Sequence, residues 1–269
     1  MTTLHFHINI VKMTTTTMTD DNTFNMKEQI RLNLGNCLEV LKDIPTESID
    51  LIVTDVPYRL ISGGATSRKN KPSGILSNPD GKMFEYNNIK PSEYMSELYR
   101  VMKKDTHCYV FINFINLTNM MEEAVKAGFK LHTLLVWKKN NKTPSRWYMK
   151  NQEYILFMRK GRAKPVKDSG VGHILEFNNI IRHKFHPCEK PVDLLKLLID
   201  NSTDSENDIV FDPFMGAGST ALACLELNRK FIGIEIDKKY FVRAEDRISE
   251  KIIKDNLPAT YKSYYYCSS

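Results

Sequence analysis

Two short segments of the chain combine acidic, aromatic and glycine residues at spacings that can do chemistry. The first runs Phe211-Asp212-Pro213-Phe214-Met215-Gly216-Ala217-Gly218-Ser219-Thr220, directly after the apolar pair Ile209-Val210. Glycines at 216 and 218 allow a tight turn and a close approach of backbone to a ligand at the carboxyl end of a strand. Glu235 lies seventeen residues beyond Gly218, at the end of another apolar run, where a carboxylate can accept hydrogen bonds from the hydroxyl pair of a ribose. Taken alone, Gly-Ala-Gly-Ser-Thr-Ala also satisfies the dinucleotide fingerprint, so this segment admits a nicotinamide-dependent enzyme, or a tight turn without a ligand.

The second segment is Thr54-Asp55-Val56-Pro57-Tyr58, again at the end of an apolar run, Leu51-Ile52-Val53. Pro57 drives Val56 toward an extended backbone and stiffens the turn. The Val56 carbonyl is then held beside the Asp55 carboxylate, and two adjacent acceptors match the two hydrogens of an exocyclic amino group. Tyr58 offers a ring on which an extruded base can stack. As a bare tetrapeptide the pattern also describes an ordinary strand-to-loop turn.

The elements that must hold these segments follow from hydrophobic periodicity. Short apolar, β-branched runs bounded by turn residues predict strands at 30–36, 49–55, 108–113, 131–138, 154–160, 209–213 and 231–237. A 3.6-residue period predicts helices at 92–102, 117–127, 192–202, 219–228 and 240–254, with Pro191 opening one and Gly128 closing another. Strands alternating with helices specify an α/β fold: seven strands in a mostly parallel sheet, helices on both faces. The two runs within 131–160 follow one another without a helix and predict an antiparallel hairpin at one edge. The stretches 59–90 and 162–185 are basic, rich in Gly, Pro, Ser and Asn, and carry no period, which points to functional loops. Trp137 reads as a strand-end packing residue, and Met95, Met102, Met120 and Met121 as core.

With 269 residues the chain suffices for one α/β domain, and 42% hydrophobic with 26% charged residues is ordinary for a globular protein. No apolar run approaches the roughly 18 residues of a membrane span. Residues 1–27 are Thr-rich without the marks of a secretion signal and read as a disordered leader, or as an upstream start before Met13, Met18 or Met26, with 28–256 as the domain and 257–269 as a C-terminal tail. Cys37, Cys108, Cys188, Cys224 and Cys267 are scattered without Cys-x-x-Cys, which argues against a zinc site or disulfide framework and fits a reducing cytoplasm. The net charge of +6 is unevenly spread: residues 126–184 carry 14 Lys or Arg against 3 Asp or Glu, and residues 59–90 carry 6 against 2. Such concentration, with Trp137, Trp147, Tyr148, Tyr154 and Phe157 interleaved, points to a polyanionic partner whose bases stack.

Over about residues 30–253 the chain resembles the N6-adenine/N4-cytosine DNA methyltransferases of the β arrangement, in which the amino-group motif precedes the cofactor motif. The resemblance rests on "LNLGNCLEVLKDIPTESIDLIVTDVPY", "HPCEKPVDLL" and "VFDPFMGAGSTALACLELNRKFIGIEIDKKYFVRAEDRI", three motifs in the family's order. A nicotinamide enzyme has no place for Asp-x-Pro-Tyr or His-Pro-x-Glu-Lys-Pro. The resemblance implies a single Rossmann-like class I methyltransferase domain and S-adenosylmethionine as cofactor. The implied substrate is double-stranded DNA, methylated site-specifically at adenine N6 after base flipping, with no metal and no membrane. It leaves room for a homodimer and a cognate restriction nuclease. N4-cytosine methylation is the alternative, although such relatives more often carry Ser in place of Asp55; a catalytically impaired DNA- and cofactor-binding relative is another.

Residue by residue, Asp55, Val56, Pro57 and Tyr58 fall on the family's catalytic Asp-Pro-Pro-Tyr, Val56 replacing its first proline. Only the carbonyl of that position is expected to contact the base, so activity should survive with a looser turn. Asp212, Phe214, Gly216, Gly218 and Ser219 match the cofactor loop, Glu235 the ribose acid, and Asn36 a position near the cofactor's adenine. Lys190 matches the residue facing the methionine carboxylate, at a helix start whose dipole favours an anion. His186 is expected to shape its turn. Arg68, Lys69, Lys138, Lys139, Lys142 and Arg146 are the expected DNA contacts, with 59–90 as a DNA-facing loop and 161–185 as a short target-recognition region.

Overall fold

The computed structural model describes residues 28–57, 89–143, 147–180 and 188–266. The leader 1–27, most of the 59–90 loop, Tyr58, Arg68, Lys69, Arg146 and His186 lie outside the described residues.

The chain runs β1 (Ile30–Leu34), α1 (Cys37–Asp43), β2 (Ile49–Asp55), α2 (Pro91–Val101), β3 (Met102–Ile112), α3 (Phe114–Ala127), β4 (Lys130–Thr143) and β5 (Lys150–Arg159). It continues with β6 (Ile174–Glu176), α4 (Val192–Ser202), β7 (Ile209–Asp212), α5 (Ser219–Glu226), β8 (Lys230–Glu235), α6 (Lys238–Lys254) and β9 (Tyr261–Tyr265). All nine strands join one sheet in the order β6-β4-β5-β3-β2-β7-β8-β1-β9.

Period-two alternation sorts the strands' side chains between two core layers. Leu51, Val53, Val210 and Phe231 face Leu194, Leu198, Ala221, Phe241 and Ala244 of α4, α5 and α6. Ile52, Phe211, Ile232 and Ile234 face Val40, Leu41, Leu98, Met120 and Ala124 of α1, α2 and α3. Each fully buried Leu or Ile contributes about 1.5–3 kcal/mol, and the two layers hold the strand ends rigidly.

Two of the nine strands were not expected. β6, three residues within the basic stretch 162–185, pairs parallel with β4, and β9, within the expected tail, pairs parallel with β1. The hairpin therefore does not form the edge of the sheet. Only β5 is antiparallel, lying between β3 and β4, and β6 takes the edge. α1 was likewise unforeseen: at seven residues it is too short for a clear period, and it is started by Asn36, whose side chain accepts from Leu38 N at 3.0 Å. α3 begins earlier than the period implies because Asn113 caps it through Asn116 N at 2.9 Å. Gly128 ends α3 in the left-handed region at φ 107°, as read from the sequence. Pro191 is the N-cap of α4 rather than its first residue.

Candidate active site

β2 and β7 are parallel neighbours, with Leu51 opposite Val210 and Ile52 opposite Phe211, so the two segments singled out above leave the sheet side by side. The connections leave in opposite directions, β2 through α2 to β3 and β7 through α5 to β8. This is the switch point at which open α/β sheets bind ligands. A cavity of about 450 Å³ lies there, lined from both segments by Asp55, Pro57, Phe214 and Gly216, from the loop before α4 by Lys190, and from the end of β8 by Glu235. Its size suits a nucleoside-sized ligand.

The glycine turn is held from three sides. Asp212, buried, accepts at Oδ1 from Thr54 Oγ1 (2.7 Å) and Phe214 N (3.1 Å), and at Oδ2 from Thr220 Oγ1 (2.8 Å). Burial pushes its carboxyl up to about 6 against these hydrogen bonds. Arg247 of α6 donates to Ala217 O at 2.6 Å and to the buried Glu189 carboxylate at 2.5 Å, tying the turn to the segment before α4. Ser219 joins this cluster through weak 3.4 Å contacts to Glu189 and Arg247. Gly216 adopts φ 54° and lines the cavity. Gly218, at φ 77°, is absent from the lining; a Cβ there would meet Ala244 Cβ of α6 at 3.0 Å. The two glycines thus do different work: one borders the ligand space and the other lets α6 pack against the turn.

Glu235 ends β8 and accepts from Gly216 N at 2.9 Å and Asp237 N at 2.8 Å. Burial pushes its carboxyl up to about 7, and the two N–H donors oppose that rise. Asn36, besides capping α1, lines the cavity. Phe214 stands edge-on to Tyr94 at 5.2 Å between centroids.

Asp55 closes β2. Its Oδ2 accepts from Lys190 Nζ at 2.5 Å, while Oδ1 is shut off from solvent with no hydrogen-bond partner among the described residues. Burial raises the Asp55 carboxyl above the usual carboxylate range, Lys190 opposes the rise, and Glu153 adds to it. Lys190, aligned by resemblance with a carboxylate-binding position, here donates to Asp55 and to Cys188 O at 3.0 Å, with Glu153 Oε2 at 3.4 Å. Val56 is 2% exposed and packs in the α1–α3 layer, which anchors the turn that was expected to be looser without proline.

The expected DNA contacts separate. Lys138 pairs with Glu176 at 2.8 Å on the exposed surface. Lys139 turns inward: its side chain is 17% exposed, donates to Glu153 and lies over the Trp137 ring at 4.5 Å. Lys142 is exposed near the end of β4. Beyond it, Trp147 and Tyr148 stand 80% and 91% exposed at the tip of the hairpin. Trp137 is the packing residue read from the sequence, its indole donating to Phe177 O at 2.9 Å. Glu153, Arg247 and the role of Glu189 were not foreseen; each works through a contact that no local pattern announces. No cluster able to hold a metal occurs among the described residues.

Comparison with known proteins converges on one family. A family profile described as DNA methylase matches residues 49–246, more than half of the chain. The chain is 32% identical over 219 residues to YubD of Escherichia coli K12, covering 80% of this chain and 88% of that one. To the type II methyltransferase M2.LlaDCHI of Lactococcus lactis subsp. cremoris it is 29% identical over 252 residues, covering 83% and 91%. Among solved structures, that of M1.HpyAVI in complex with SAM matches with a TM-score of 0.63 and 28% identity, covering 81% of this chain and 99% of that one. With a mostly parallel sheet that brings Asp55 and the glycine turn together at its switch point, and with these matches across most of its length, the chain belongs to the DNA methylase family.

Proposed function

We propose that this DNA methyltransferase acts on the exocyclic amino group N6 of adenine in double-stranded DNA, using S-adenosylmethionine and a flipped base. The observation that carries the reading is Asp55: one oxygen is held by Lys190, and the other is buried in the cavity wall with an unused acceptor. An amino group has the N–H that such an acceptor needs.

The cavity fits the cofactor. Glu235 and Asp237 set acceptors at one end for ribose hydroxyls, Gly216 brings backbone to the wall, and Asp55 lies at the other motif. When bound, S-adenosylmethionine supplies an electrophilic methyl group. The rest falls to the protein. The amino lone pair of adenine is delocalised into the ring and is a weak nucleophile. Asp55 Oδ1 accepts a hydrogen bond from one amino N–H, raises electron density on nitrogen, stabilises the positive charge that develops there and is placed to take the proton that the nitrogen loses once methylated. The Val56 carbonyl is the proposed second acceptor. The base must leave the duplex to reach this site, at a cost of a few kcal/mol offset by backbone and stacking contacts.

For DNA we propose the exposed surface of the β4–β5 hairpin: Lys138, Lys142 and Lys150 with Trp147 and Tyr148 at its tip. Lys139, committed to Glu153, is left out. Adenine is favoured over cytosine because relatives acting on cytosine N4 more often carry Ser where this chain has Asp55.

The test is direct. Purified protein is incubated with S-adenosylmethionine and duplex DNA, and the digested nucleosides are separated by mass spectrometry. N6-methyladenine is expected. N4-methylcytosine in its place would move the assignment to cytosine, and cofactor binding without any methylated nucleoside would mark an impaired relative.

A further inference from the structure

A chain of four alternating charges runs across one face of the sheet toward the site. Lys139 of β4 donates to Glu153 of β5, Glu153 lies 3.4 Å from Lys190, and Lys190 reaches Asp55 of β2 at 2.5 Å. The register explains how distant strands meet. Asp55 is opposite Phe111 of β3, Phe111 is opposite Ile155, and Glu153 is two residues from Ile155 on the same face of β5. Lys190 spans the intervening strand, its ammonium 5.2 Å from the centroid of the Phe111 ring.

We propose, on the amino-methylation reading above, that Glu153 is a positioning residue: with Lys139 it holds Lys190 on one oxygen of Asp55 and leaves the other oxygen uncapped as an acceptor for the amino group. A lysine ammonium has three N–H donors. Its acceptors include Asp55 Oδ2 at 2.5 Å and Cys188 O at 3.0 Å, and Glu153 Oε2 lies 3.4 Å away. Removing Glu153 takes away the carboxylate that draws Lys190 toward β5, so the ammonium can shift onto Asp55 Oδ1 and cap the acceptor that the base requires.

Charge balance supports the same role. Two cations and two anions alternate along the chain, so Lys190 stands between the carboxylates of Asp55 and Glu153. The charged groups facing Asp55 are Lys190 from the segment before α4, Glu153 from β5, Lys139 from β4 and Asp212 from β7. Glu153 raises the Asp55 carboxyl, whereas Lys139 and Lys190 lower it. Burial acts against the Glu153 carboxylate, but Lys190 and Lys139 outweigh it and hold the group below the usual range.

The two hairpin residues therefore act on Asp55 with opposite sign, which a general loss of structure would not reproduce. The experiment compares wild type, Glu153→Gln and Lys139→Met, each labelled with 13C at aspartate carboxyls. The Asp55 resonance is assigned by its loss in Asp55→Asn and titrated by NMR. The same proteins are then assayed by single-turnover methylation of duplex DNA across pH. The Asp55 midpoint should fall in Glu153→Gln and rise in Lys139→Met, and the acid limb of the rate should follow each shift. The plateau rate of Glu153→Gln should drop about tenfold or more with cofactor affinity within about twofold, as expected for loss of orientation at the reacting atom. Midpoints that move together or not at all, or an unchanged plateau in Glu153→Gln, would overturn the proposal. The NMR midpoint is independent of which base is methylated, so a product of N4-methylcytosine would revise the base assignment while the role of Glu153 is still judged.

Discussion

Thr54 Oγ1 donates to Asp212 Oδ1 at 2.7 Å, and this one bond ties the strand of the amino-group motif to the strand of the glycine turn. Thr54 immediately precedes Asp55, so the bond also fixes where the Asp55 carboxylate stands relative to the glycine turn. Thr220 holds the other Asp212 oxygen from the first turn of α5.

Removing that tie should be felt in stability. Thr54→Val keeps the side-chain shape but leaves Asp212 Oδ1 with Phe214 N as its remaining donor among the described residues, a loss of about 1.5–3 kcal/mol for a bond to a charged group. Urea unfolding should show this loss in Thr54→Val and little of it in Thr54→Ser, which retains the hydroxyl. Equal stability of all three proteins would mean that the bond contributes nothing.

Glu235 makes stability depend on pH in a defined direction. Its carboxyl rises from 4.5 to about 7 on folding, so between these values the folded protein holds a proton that the unfolded chain releases. Stability from this group is therefore full below about pH 4.5 and is lost as pH rises toward 7. Glu235→Gln has no such dependence. Measured without cofactor, its deficit relative to wild type should be larger at pH 5 than at pH 8, by roughly 2 kcal/mol. A deficit that grows with pH would reverse the assignment.

The two glycines should separate in calorimetry. Gly216→Ala strains a left-handed residue in the cavity wall and should weaken S-adenosylmethionine binding at least about tenfold. Gly218→Ala strains its own backbone and presses on Ala244, so it should lower the melting temperature with the smaller effect on affinity. NAD should bind none of these proteins. The reverse ranking of the two variants would place the ligand on the α6 side of the turn.

Asp55→Ala removes the acceptor proposed for the amino group. Single-turnover methylation should slow by roughly 10²–10³, the usual cost of one well-placed electrostatic partner. Cofactor affinity should change far less, because Gly216 and Glu235 remain. A variant that methylates at the wild-type rate would put the chemistry elsewhere.

The hairpin tip predicts how DNA affinity responds to salt and to aromatic loss. Glu substitutions at Lys138, Lys142 and Lys150 together should weaken duplex binding for every sequence and flatten its salt dependence. Trp147→Ala with Tyr148→Ala should weaken it without altering the salt slope, since stacking releases no counterions. Fluorescence anisotropy across salt concentrations distinguishes the two, and unchanged affinity in both variants would assign the basic face to solvent.

What could be read in the chain beforehand was whatever a local pattern specifies. β-branched runs such as Leu51-Ile52-Val53 and Ile209-Val210-Phe211 read as strands because both faces of a central parallel strand are buried. That the glycine turn, Asp55 and Glu235 would stand at strand ends was legible because each directly follows or closes an apolar run, and all three line one cavity. The brief strands β6 and β9 were not legible, since three to five residues carry no period and pair only where a neighbouring edge already exists.

The tertiary structure alone decided how the charges are used. Lys139 looked like one basic residue among many, yet the β4–β5 register brings it to Glu153 and takes it off the exposed surface. Gly218 looked like a ligand glycine, yet the packing of α6 explains it. Arg247, 58 residues from Glu189 in the chain, meets it at 2.5 Å to brace the turn. Sequence spacing records what neighbours along the chain can do together; contacts across strands depend on sheet order and register, which arise only when the two core layers close.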